Sequence, residues 1–534
     1  MPSHCLSFRQ IPHSTRLFLD YLYQFNEASR FFARPPFARD WLKDEVARLR
    51  YDAARRERVA TVLERQNRAW GASQETLDNI ARFRAGASAV VTGQQVALFG
   101  GPLFSVYKAI SAVKLATEFT HGGEECVPIF WLATEDHDLA EVNHATLLAA
   151  DGSLTPFATE ARGPKDAPMS HVRLGPEIEA RVQEAARLLG DSEASGFLRE
   201  SYRAGETLGS AFAKLFSRIF QHSGVILIDA SDPELHTVAE SVYRAAIVAA
   251  KDLDEALLER GRELESAGYH AQVKVTSSST LLFAINDGSR VPVHRANGQL
   301  VVAEEKLGQD EFLQRIRQRP EDFSANVLLR PVVQDYLLPT LAYIGGPAEI
   351  AYFAQAQVVY EELLGRVTPI LPRLSATLVE PRIQRLLERY RLSPADTFSD
   401  PEHLRVLIAE RALPGDVNAT FDAATRQLEG SLAEIQASLE RLDATLVEAS
   451  ERAASKIRYQ IDRLRERAAR AQLRRSEETA AHAASISNSL FPQKEPQERV
   501  LGAMSFLGRY GTQLLLTLYD AAKTGCPDHQ VVFL

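Results

Sequence analysis

The stretch that decides the fold is residues 87–110, "ASAVVTGQQVALFGGPLFSVYKAI", taken together with residues 127–138, "VPIFWLATEDHD". Residues 87–91 and 127–133 are short, bounded apolar runs, which are typical of buried strands. Between them, apolar side chains at helical spacing predict a helix with Pro102 in its first turn. Strand, glycine loop, helix and strand in this order predict a βαβ unit. They therefore indicate an α/β fold with a parallel sheet covered by helices.

Other segments extend this pattern. Residues 40–85 predict helices before the first strand, and residues 225–229 predict a third strand with helical texture after it, to residue 267. Residues 270–295 alternate between apolar and polar and turn at Asp287-Gly288, which predicts a small antiparallel insertion.

Two polar segments follow the first two predicted strands, where the carboxyl ends of parallel strands commonly hold ligands. The first combines glycines, which allow close backbone approach, with glutamines that donate and accept hydrogen bonds. Its candidate binding residues are Thr92, Gly93, Gln94, Gln95, Gly100, Gly101, Pro102 and Lys108, of which Lys108 could equally be an exposed helix residue.

The second polar segment places a histidine among carboxylates directly after a buried strand. Its candidates are Glu135, Asp136, His137 and Asp138 as catalytic residues and Asn143 and His144 as binding residues. The alternative is that the carboxylates only cap the following helix. A metal site is a second alternative, but no HExxH or CxxC spacing supports it, so no metal ligand is assigned.

A third segment, residues 330–355, contains a glycine turn that opens a helix. It is either a third wall of the same cleft or a tight loop with a satisfied helix start. The candidate binding residues here are Gln334, Asp335, Gly345, Gly346, Glu349 and Tyr352, and Arg373 is a further candidate cation.

Bulk properties narrow the class of protein. The chain has 534 residues, which predicts two or three domains, and a net charge of −9, which argues against a broad nucleic-acid surface. Its three cysteines are far apart in sequence, without CxxC, and suit a reducing cytosol. The first residues lack a signal-peptide pattern, and no apolar run approaches a membrane span. We expect a cytoplasmic protein with no nucleic-acid or membrane partner.

The C-terminal third carries a heptad pattern of apolar residues. The seam is Leu428, Leu432, Ile435, Leu439, Leu442, Leu446, Ala449 and Ala453. It predicts one helix over residues 419–485, about 100 Å long at ~1.5 Å per residue. Such a rod needs a partner helix, from residues 378–412 or from a second copy, and we expect a homodimer. The predicted domains are residues 1–377 and 378–487, with residues 488–534 packing back on the core.

Several ordered stretches resemble one family, the bacillithiol biosynthesis cysteine-adding enzymes. They are "TGQQVALFGGPLFSVYKAISAVKLA", "VPIFWLATEDHDLAEVNH", "RPVVQDYLLPTLAYIGGPAEIAYFAQ", "PILPRLSATLVE" and "FPQKEPQERVLGAMSFLGRYG". The resemblance runs from about residue 90 to residue 515. It implies a Rossmann-like core related to nucleotidyltransferases, with connecting insertions and a coiled-coil domain that promotes dimerisation. The HIGH and KMSKS sequences of class I synthetases are absent.

The resemblance also implies an activity, the joining of the L-cysteine carboxyl group to the free amine of glucosaminyl-malate. A carboxylate needs activation for this reaction, so ATP or ADP is a candidate ligand, with no metal beyond the Mg²⁺ that accompanies a nucleotide. Neither GxxxxGK[ST] nor GxGxxG is present to show nucleotide binding. Two alternatives stay open: a metal-dependent hydrolase that uses the Glu-Asp-His-Asp cluster, and a non-enzymatic assembly protein built on the coiled coil.

Overall fold

The computed structural model describes residues 3–534 and has a five-stranded parallel sheet at its centre, called the core sheet here. All neighbouring strands in it are parallel, which confirms the predicted α/β class. The strands, in their order across the sheet, are Ile370–Pro372, Thr340–Gly345, Ser88–Gln94, Cys126–Leu132 and Ile226–Asp229.

The core sheet is covered on both faces, as the continuous burial of Cys126–Leu132 requires. Along this strand Ile129 and Trp131 pack into one hydrophobic core, while Phe130 and Leu132 pack into another on the opposite face. The crossover from the preceding strand is the helix Leu103–His121. Pro102 is its N-cap, one position before the predicted first turn.

Three helices, separated by breaks, lie within residues 40–85, where the sequence predicted helical structure. They are Leu42–Arg48, Ala53–Ala69 and Gln74–Ala85. Asp52 and Ser73 begin the second and third, because their side chains accept hydrogen bonds from the backbone N–H groups of Arg55 and Thr76.

The remaining helices of the first 375 residues surround the core sheet and its insertions. They are Arg16–Tyr23, Phe25–Ala28, Leu139–Val142, Glu177–Leu189, Glu193–Ser201, Leu208–Ile219, Pro233–Val248, Ala250–Ser266, Gln309–Gln318, Arg330–Leu337 and Pro347–Leu364. Two small antiparallel pairs lie after the second core strand: His144–Leu148 with Leu154–Ala158, and Ala161–Arg162 with Arg173–Leu174.

The predicted antiparallel insertion is present and is larger than expected. Its hairpin turns at Asp287-Gly288, and both residues have positive φ (51° and 79°), which matches the twist of a two-residue hairpin. Three more strands complete a five-stranded insertion sheet. Its strands are Ser279–Asn286, Ser289–Ala296, Gln299–Val302, Glu305–Leu307 and Phe323–Ala325.

A third sheet joins distant parts of the chain. Its central strand, His529–Phe533, pairs antiparallel with Ser3–Leu6 and parallel with Ala376–Val379. The first and last strands of the described chain are therefore neighbours, an arrangement that heptads and local apolar runs do not reveal.

The predicted continuous 100 Å helix is wrong. The chain forms the helices Gly415–Leu442 and Leu446–Arg475, which pack against each other, and then Glu477–Leu490. Asp443 adopts an extended conformation that ends the first helix, and its carboxylate accepts a 2.9 Å hydrogen bond from the Thr445 N–H. The heptad seam thus folds back on itself as an antiparallel pair, called the helical hairpin here.

The hairpin leaves part of the seam uncovered. Leu428, Leu432 and Leu439 are partly buried, whereas 54% of Ile435 and 78% of Leu442 are exposed. Residues 378–412 do supply partner helices, as expected: Pro401–Arg411 packs on Leu446–Arg475, and Pro381–Arg389 packs on Glu477–Leu490.

The last segment contains three helices before its final strand. They are Gln497–Val500, Met504–Tyr510 and Gln513–Ala521. The first and third contact the helix Leu103–His121 of the core. In residues 3–534, no helix is both long and apolar enough to cross a membrane.

Candidate active site

A cleft of 720 Å³ lies at the carboxyl edge of the core sheet. Gly93 pairs with Trp131 and Gln94 with Leu132 on adjacent parallel strands, so the loops after both strands meet at one edge. The insertion sheet supplies the opposing wall, with Leu281–Phe283 and Arg290 among its lining residues. The two polar segments therefore lie at the same end of the sheet, as the βαβ reasoning predicted.

Gly93, near the end of the first core strand, is closely packed against the neighbouring strand. A Cβ atom on Gly93 would lie 3.0 Å from the Trp131 carbonyl oxygen and 3.1 Å from its Cβ. A side chain here would force the neighbouring strand to shift, and Gly93 presents bare backbone to the cleft.

Lys108 is a buried cation at the cleft floor, so the alternative of an exposed helix residue is wrong. Only 4% of the residue is exposed, and its Nζ donates to the Gly93 carbonyl and to Gln94 Oε1, each at 2.7 Å. Its ion-pair partner is Glu349, at 2.5 Å. Burial lowers the pKa of Lys108, and the Glu349 carboxylate opposes that shift.

Glu349 links this lysine to the third polar segment. Its carboxylate accepts hydrogen bonds from the Tyr343 hydroxyl at 2.5 Å and from the Gly346 N–H at 2.8 Å. Three donors thus hold one largely buried carboxylate, and through it the ends of two neighbouring core strands are tied together.

Glu135 is the most perturbed carboxyl group on the cleft. Burial raises its pKa to about 8, with Arg290 opposing the shift and Asp229 adding to it. Its Oε1 lies 3.3 Å from Nε2 of His236, a histidine whose pKa burial lowers to about 4. Near pH 7 both groups are therefore largely neutral, and the contact is not an ion pair. A carboxyl group that titrates near 8 can exchange a proton at working pH.

Asp136 and His137 lie beside Glu135 in different surroundings. Asp136 lines the cleft and accepts a 2.7 Å hydrogen bond from Nε2 of Gln95. His137 is not among the residues that line the cleft, but its Nδ1 lies 3.2 Å from an Nη atom of Arg290, which does line it. Because a guanidinium only donates, His137 Nδ1 is the acceptor in this contact, which leaves Nε2 as the protonated nitrogen of the neutral ring.

Asp138 caps the helix that follows it, which was the structural alternative to a catalytic role. Its side chain accepts a hydrogen bond from the Glu141 N–H and begins the helix Leu139–Val142, and the residue is exposed. Asn143 and His144 come after this helix, outside the lining of the cleft; the backbone carbonyl of Asn143 accepts from the Thr159 N–H, and His144 is exposed at the start of a strand.

The other predicted residues divide into those at the cleft and those inside the fold. Gln94, Gln95, Gly346, Glu349, Tyr352 and Arg373 line the cleft with Gly93 and Lys108. Thr92 does not line it, since it lies within the sheet and donates to the Ile344 carbonyl. Gly345 also lies within the sheet, where an added Cβ would meet Ile370 at 2.8 Å.

The second glycine turn is placed away from the cleft lining. Gly100 donates its N–H to the Tyr202 hydroxyl. Gly101 has a positive φ, and a Cβ atom added there would lie 3.1 Å from the Ala97 Cβ. Pro102 forms an isolated antiparallel β-bridge with Gly502, and none of the three residues lines the cleft. This turn joins the core to the last segment of the chain.

Gln334 and Asp335 are also outside the cleft lining. Gln334 donates to Asp335 at 3.0 Å, and Tyr360 donates to the other Asp335 oxygen at 2.6 Å. Their buried polar atoms therefore have hydrogen-bond partners inside the protein. The two residues have a structural role in packing, and the prediction that they bind a ligand is not supported by their position.

Three arginines that line the cleft were missed, Arg290, Arg330 and Arg499. Arg290 donates to His137, Ser324 and the Ala325 carbonyl, and Arg330 donates to the Tyr352 hydroxyl at 2.7 Å. These partners are neutral groups, which leaves both cations without a hydrogen-bonded carboxylate. Arg330 is the first residue of the third polar segment, so the sequence offered a reason to predict it as a binding residue. Arg290 lies in the predicted hairpin, where the alternating pattern indicates strands and gives no sign of a binding residue.

Within residues 3–534, no group of three or more His, Cys, Asp or Glu side chains is placed to hold a metal ion. The groups that line the cleft are carboxyl, guanidinium and ammonium groups, which can serve acid–base chemistry and anion binding.

The fold and site define a two-part protein, a Rossmann-like α/β core with a charged cleft and a helical coiled-coil region. Family models agree with both parts. "Bacillithiol biosynthesis BshC, N-terminal Rossmann-like domain" matches residues 1–374, and "Bacillithiol biosynthesis BshC, C-terminal coiled-coil domain" matches residues 376–534. The chain belongs to the BshC family of bacillithiol biosynthesis, which confirms the resemblance found in the sequence.

Curated relatives cover almost the whole chain. A protein of Koribacter versatilis named "Putative cysteine ligase BshC" is 51% identical over 528 residues, 99% of each chain. Proteins with the same name from Solibacter usitatus and Salinibacter ruber are 37% and 33% identical, covering 99% and 97% of this chain and 99% and 96% of their own lengths.

Proposed function

We propose that the protein is a ligase that joins the carboxyl group of L-cysteine to the amine of glucosaminyl-malate, forming an amide. The observation that carries the proposal is a single cleft that combines a carboxyl group titrating near 8 with arginines whose hydrogen-bond partners are neutral. The family membership and the names of the curated relatives support the same reaction.

Glu135 is suited to the amine. Amide formation requires an uncharged nitrogen nucleophile, and α-amino groups titrate at about 7.7–8.0. A carboxyl group with a pKa of about 8 matches that range. Proton transfer from the attacking amine to the Glu135 carboxylate is therefore nearly balanced in free energy.

Arg290 and Arg330 are suited to the malate part. Guanidinium groups bind carboxylates in two parallel hydrogen bonds and keep their charge when buried. The two arginines project into the cleft from the insertion sheet and from the start of the helix Arg330–Leu337, so two carboxylates of one substrate could be held at once.

Cysteine must be activated, and ATP is the proposed energy donor, with Mg²⁺ accompanying it. The cysteine carboxylate attacks a phosphorus atom of ATP, forming an acyl–oxygen–phosphorus linkage and releasing a phosphate-containing group. The sugar amine then attacks the acyl carbon, the carbon–oxygen bond breaks, and the amine proton passes to Glu135. The cytoplasm, which supplies ATP and free cysteine, is the proposed location.

We also propose that the enzyme is a homodimer formed through the helical hairpin. The support is its uncovered apolar residues, since Ile457 and Leu464 of the second helix are 41% and 57% exposed, in addition to those on the first. An apolar stripe of this kind is stabilised when a second helical surface covers it.

A direct test combines substrate and nucleotide analysis. Purified protein is incubated with cysteine, glucosaminyl-malate and ATP, and both the sugar and the nucleotide products are identified by mass spectrometry. The expected result is the cysteinyl amide with stoichiometric AMP or ADP, which also identifies the activated intermediate. Absence of the amide in the presence of bound substrates would overturn the proposal.

A further inference from the structure

The fold brings together two of the three cysteines from opposite ends of the chain. The Sγ atoms of Cys5 and Cys526 are 3.6 Å apart, and both residues are free thiols. Cys5 is exposed and Cys526 is partly buried. This pair is unconnected with the cleft chemistry described above, and its sequence separation gives no sign of it.

The backbone on both sides of the pair is held in place. Cys5 lies in the strand Ser3–Leu6, opposite Gln530 of the last strand. The Cys526 N–H donates to the Lys523 carbonyl at 3.0 Å, and the Asp528 carboxylate accepts a 2.7 Å hydrogen bond from Tyr23. The two thiols are thus neighbours because of sheet pairing and a fixed turn.

A disulfide bond is about 2.05 Å long, so the sulfurs must approach each other by a further ~1.5 Å. Because the two Sγ atoms are already 3.6 Å apart, rotation of the side chains about their Cα–Cβ bonds can supply a movement of this size.

We propose that Cys5 and Cys526 form a reversible disulfide and that its oxidant is a low-molecular-weight disulfide. The Cys5 thiolate attacks one sulfur of the small disulfide, whose sulfur–sulfur bond breaks and releases one thiol. Cys526 then gives up its proton and attacks the Cys5 sulfur of the mixed disulfide, releasing the second thiol. Two protein thiols are oxidised, and one small disulfide is reduced to two thiols.

The surroundings set the order of attack. Cys5 is open to solvent, whereas burial, followed by the neighbouring Cys5 thiol, raises the pKa of Cys526. Because Cys526 is less exposed and its raised pKa lowers the fraction of thiolate, Cys526 is the resolving residue. It attacks after Cys5 has formed the mixed disulfide. Cys126 is buried in a core strand and its pKa is raised by burial, so it provides an internal unreactive thiol.

The cross-link would lie one layer behind the cleft. Cys526 and Asp528 border a small cavity together with Gly346 and Arg373, which also line the cleft. The disulfide would join the first strand to this supporting loop. The inference does not depend on the proposed ligase activity.

The test uses the reduced full-length chain with oxidised glutathione as the probe. Thiols titrated after denaturation should fall from three to one per chain, and after blocking of the remaining thiol, intact mass and non-reducing peptide mapping should show a Cys5–Cys526 linked peptide. Dithiothreitol should restore all three. A linked peptide between two chains, or a wild-type protein that keeps three thiols, would overturn the proposal.

Variants separate the two roles. Cys526→Ser removes the resolving thiol, so a glutathione adduct on Cys5 should be about tenfold more abundant than in the wild type. Cys126→Ala should cross-link as the wild type does. If the wild type instead accumulates the same stable adduct as Cys526→Ser, the pair does not form a disulfide. A loss of cross-linking in Cys126→Ala would contradict the assigned pairing.

Discussion

Nζ of Lys108 lies 2.5 Å from Oε2 of Glu349, and this buried pair connects the loops after two neighbouring strands of the core sheet. Lys108 also donates hydrogen bonds to the Gly93 carbonyl and to Gln94 Oε1, while Glu349 accepts one from the Gly346 N–H. One ion pair thus fixes the glycine turns that border the cleft, and the position of the cleft floor depends on it.

Lys108→Met should destabilise the protein by leaving the Glu349 carboxylate buried without its cation. We expect the free energy of unfolding to fall by about 3–5 kcal/mol, the usual effect of breaking a buried pair. Urea denaturation measures this. Lys251→Ala, in which a side chain that is 74% exposed is removed, should change it by about 0.5 kcal/mol or less. Adding Glu349→Gln to Lys108→Met should recover part of the loss; strictly additive losses would contradict the coupling.

Glu135→Gln should lower turnover by about 10²- to 10⁴-fold, because the amide side chain cannot take a proton from the amine. In the wild type, kcat/KM should rise with pH through two ionisations near 8, that of Glu135 and that of the substrate amine. The variant should show only one. Asp138→Asn, the same change on an exposed capping residue, should keep near-normal turnover, and an equal loss in both variants would argue against a special role for Glu135.

Glu135 should also make stability depend on pH. Its pKa is about 8 in the folded protein against an ordinary 4.5, so the native state binds more protons between these values and the free energy of unfolding falls as pH rises. His236, with a pKa lowered to about 4, has the opposite effect below its ordinary 6.5.

Between pH 6.5 and 8 the pH dependence of the free energy of unfolding therefore comes from Glu135 rather than from His236. We expect a loss of about 2 kcal/mol over this interval in urea denaturation, and its absence in Glu135→Gln. Parallel profiles for the two proteins would show that the carboxyl group titrates elsewhere.

His137→Ala should reduce turnover by roughly 10²-fold or more with little change in thermal stability, because His137 is partly exposed and contacts Arg290 at the cleft. His144→Ala provides a comparison, since neither histidine lines the cleft, but His137 contacts the lining residue Arg290 whereas the exposed His144 contacts Asn143. Steady-state kinetics and thermal melts decide the matter. Equal losses of turnover would favour the sequence-based assignment, and unfolding of His137→Ala would make it a structural residue.

The combined change Ile435→Asp and Leu442→Asp should shift the protein from dimer to monomer without unfolding it, because both side chains are exposed in a single chain. Light scattering and circular dichroism test this. Leu516→Asp alters a residue that is 57% exposed outside the hairpin and should leave the assembly unchanged. Changing Leu432 and Leu439 to Asp instead should unfold the hairpin, since both side chains are partly buried in a single chain. An unchanged dimer in the first variant would place the interface elsewhere.

The local pattern of the chain was enough to predict the core of the fold. Apolar runs bounded by glycine and polar residues mark the strands Ser88–Gln94 and Cys126–Leu132, and parallel pairing follows from the helix between them. Because both strands run in the same direction, the two polar segments that follow them were predicted to share an edge, and in the structure Gln95 of one segment contacts Asp136 of the other.

The same local reasoning failed where two structures satisfy one pattern. A heptad stripe is satisfied by a long helix with a partner or by two helices folded against each other, and a short turn at Asp443 selects the second. A glycine turn can hold a ligand or pack tightly, and Gly100 and Gly101 are packed against the rest of the chain.

The sequence by itself determined the α/β class, the family, the order of the main core elements and the edge of the sheet that carries the cleft, because each depends on short-range periodicity or on matched motifs. Only the tertiary structure decided that Arg290 faces His137, that burial moves the pKa of Glu135 to about 8, and that Cys5 meets Cys526. These depend on which distant segments exclude water from one another or pair as strands, and no local spacing of residues records that.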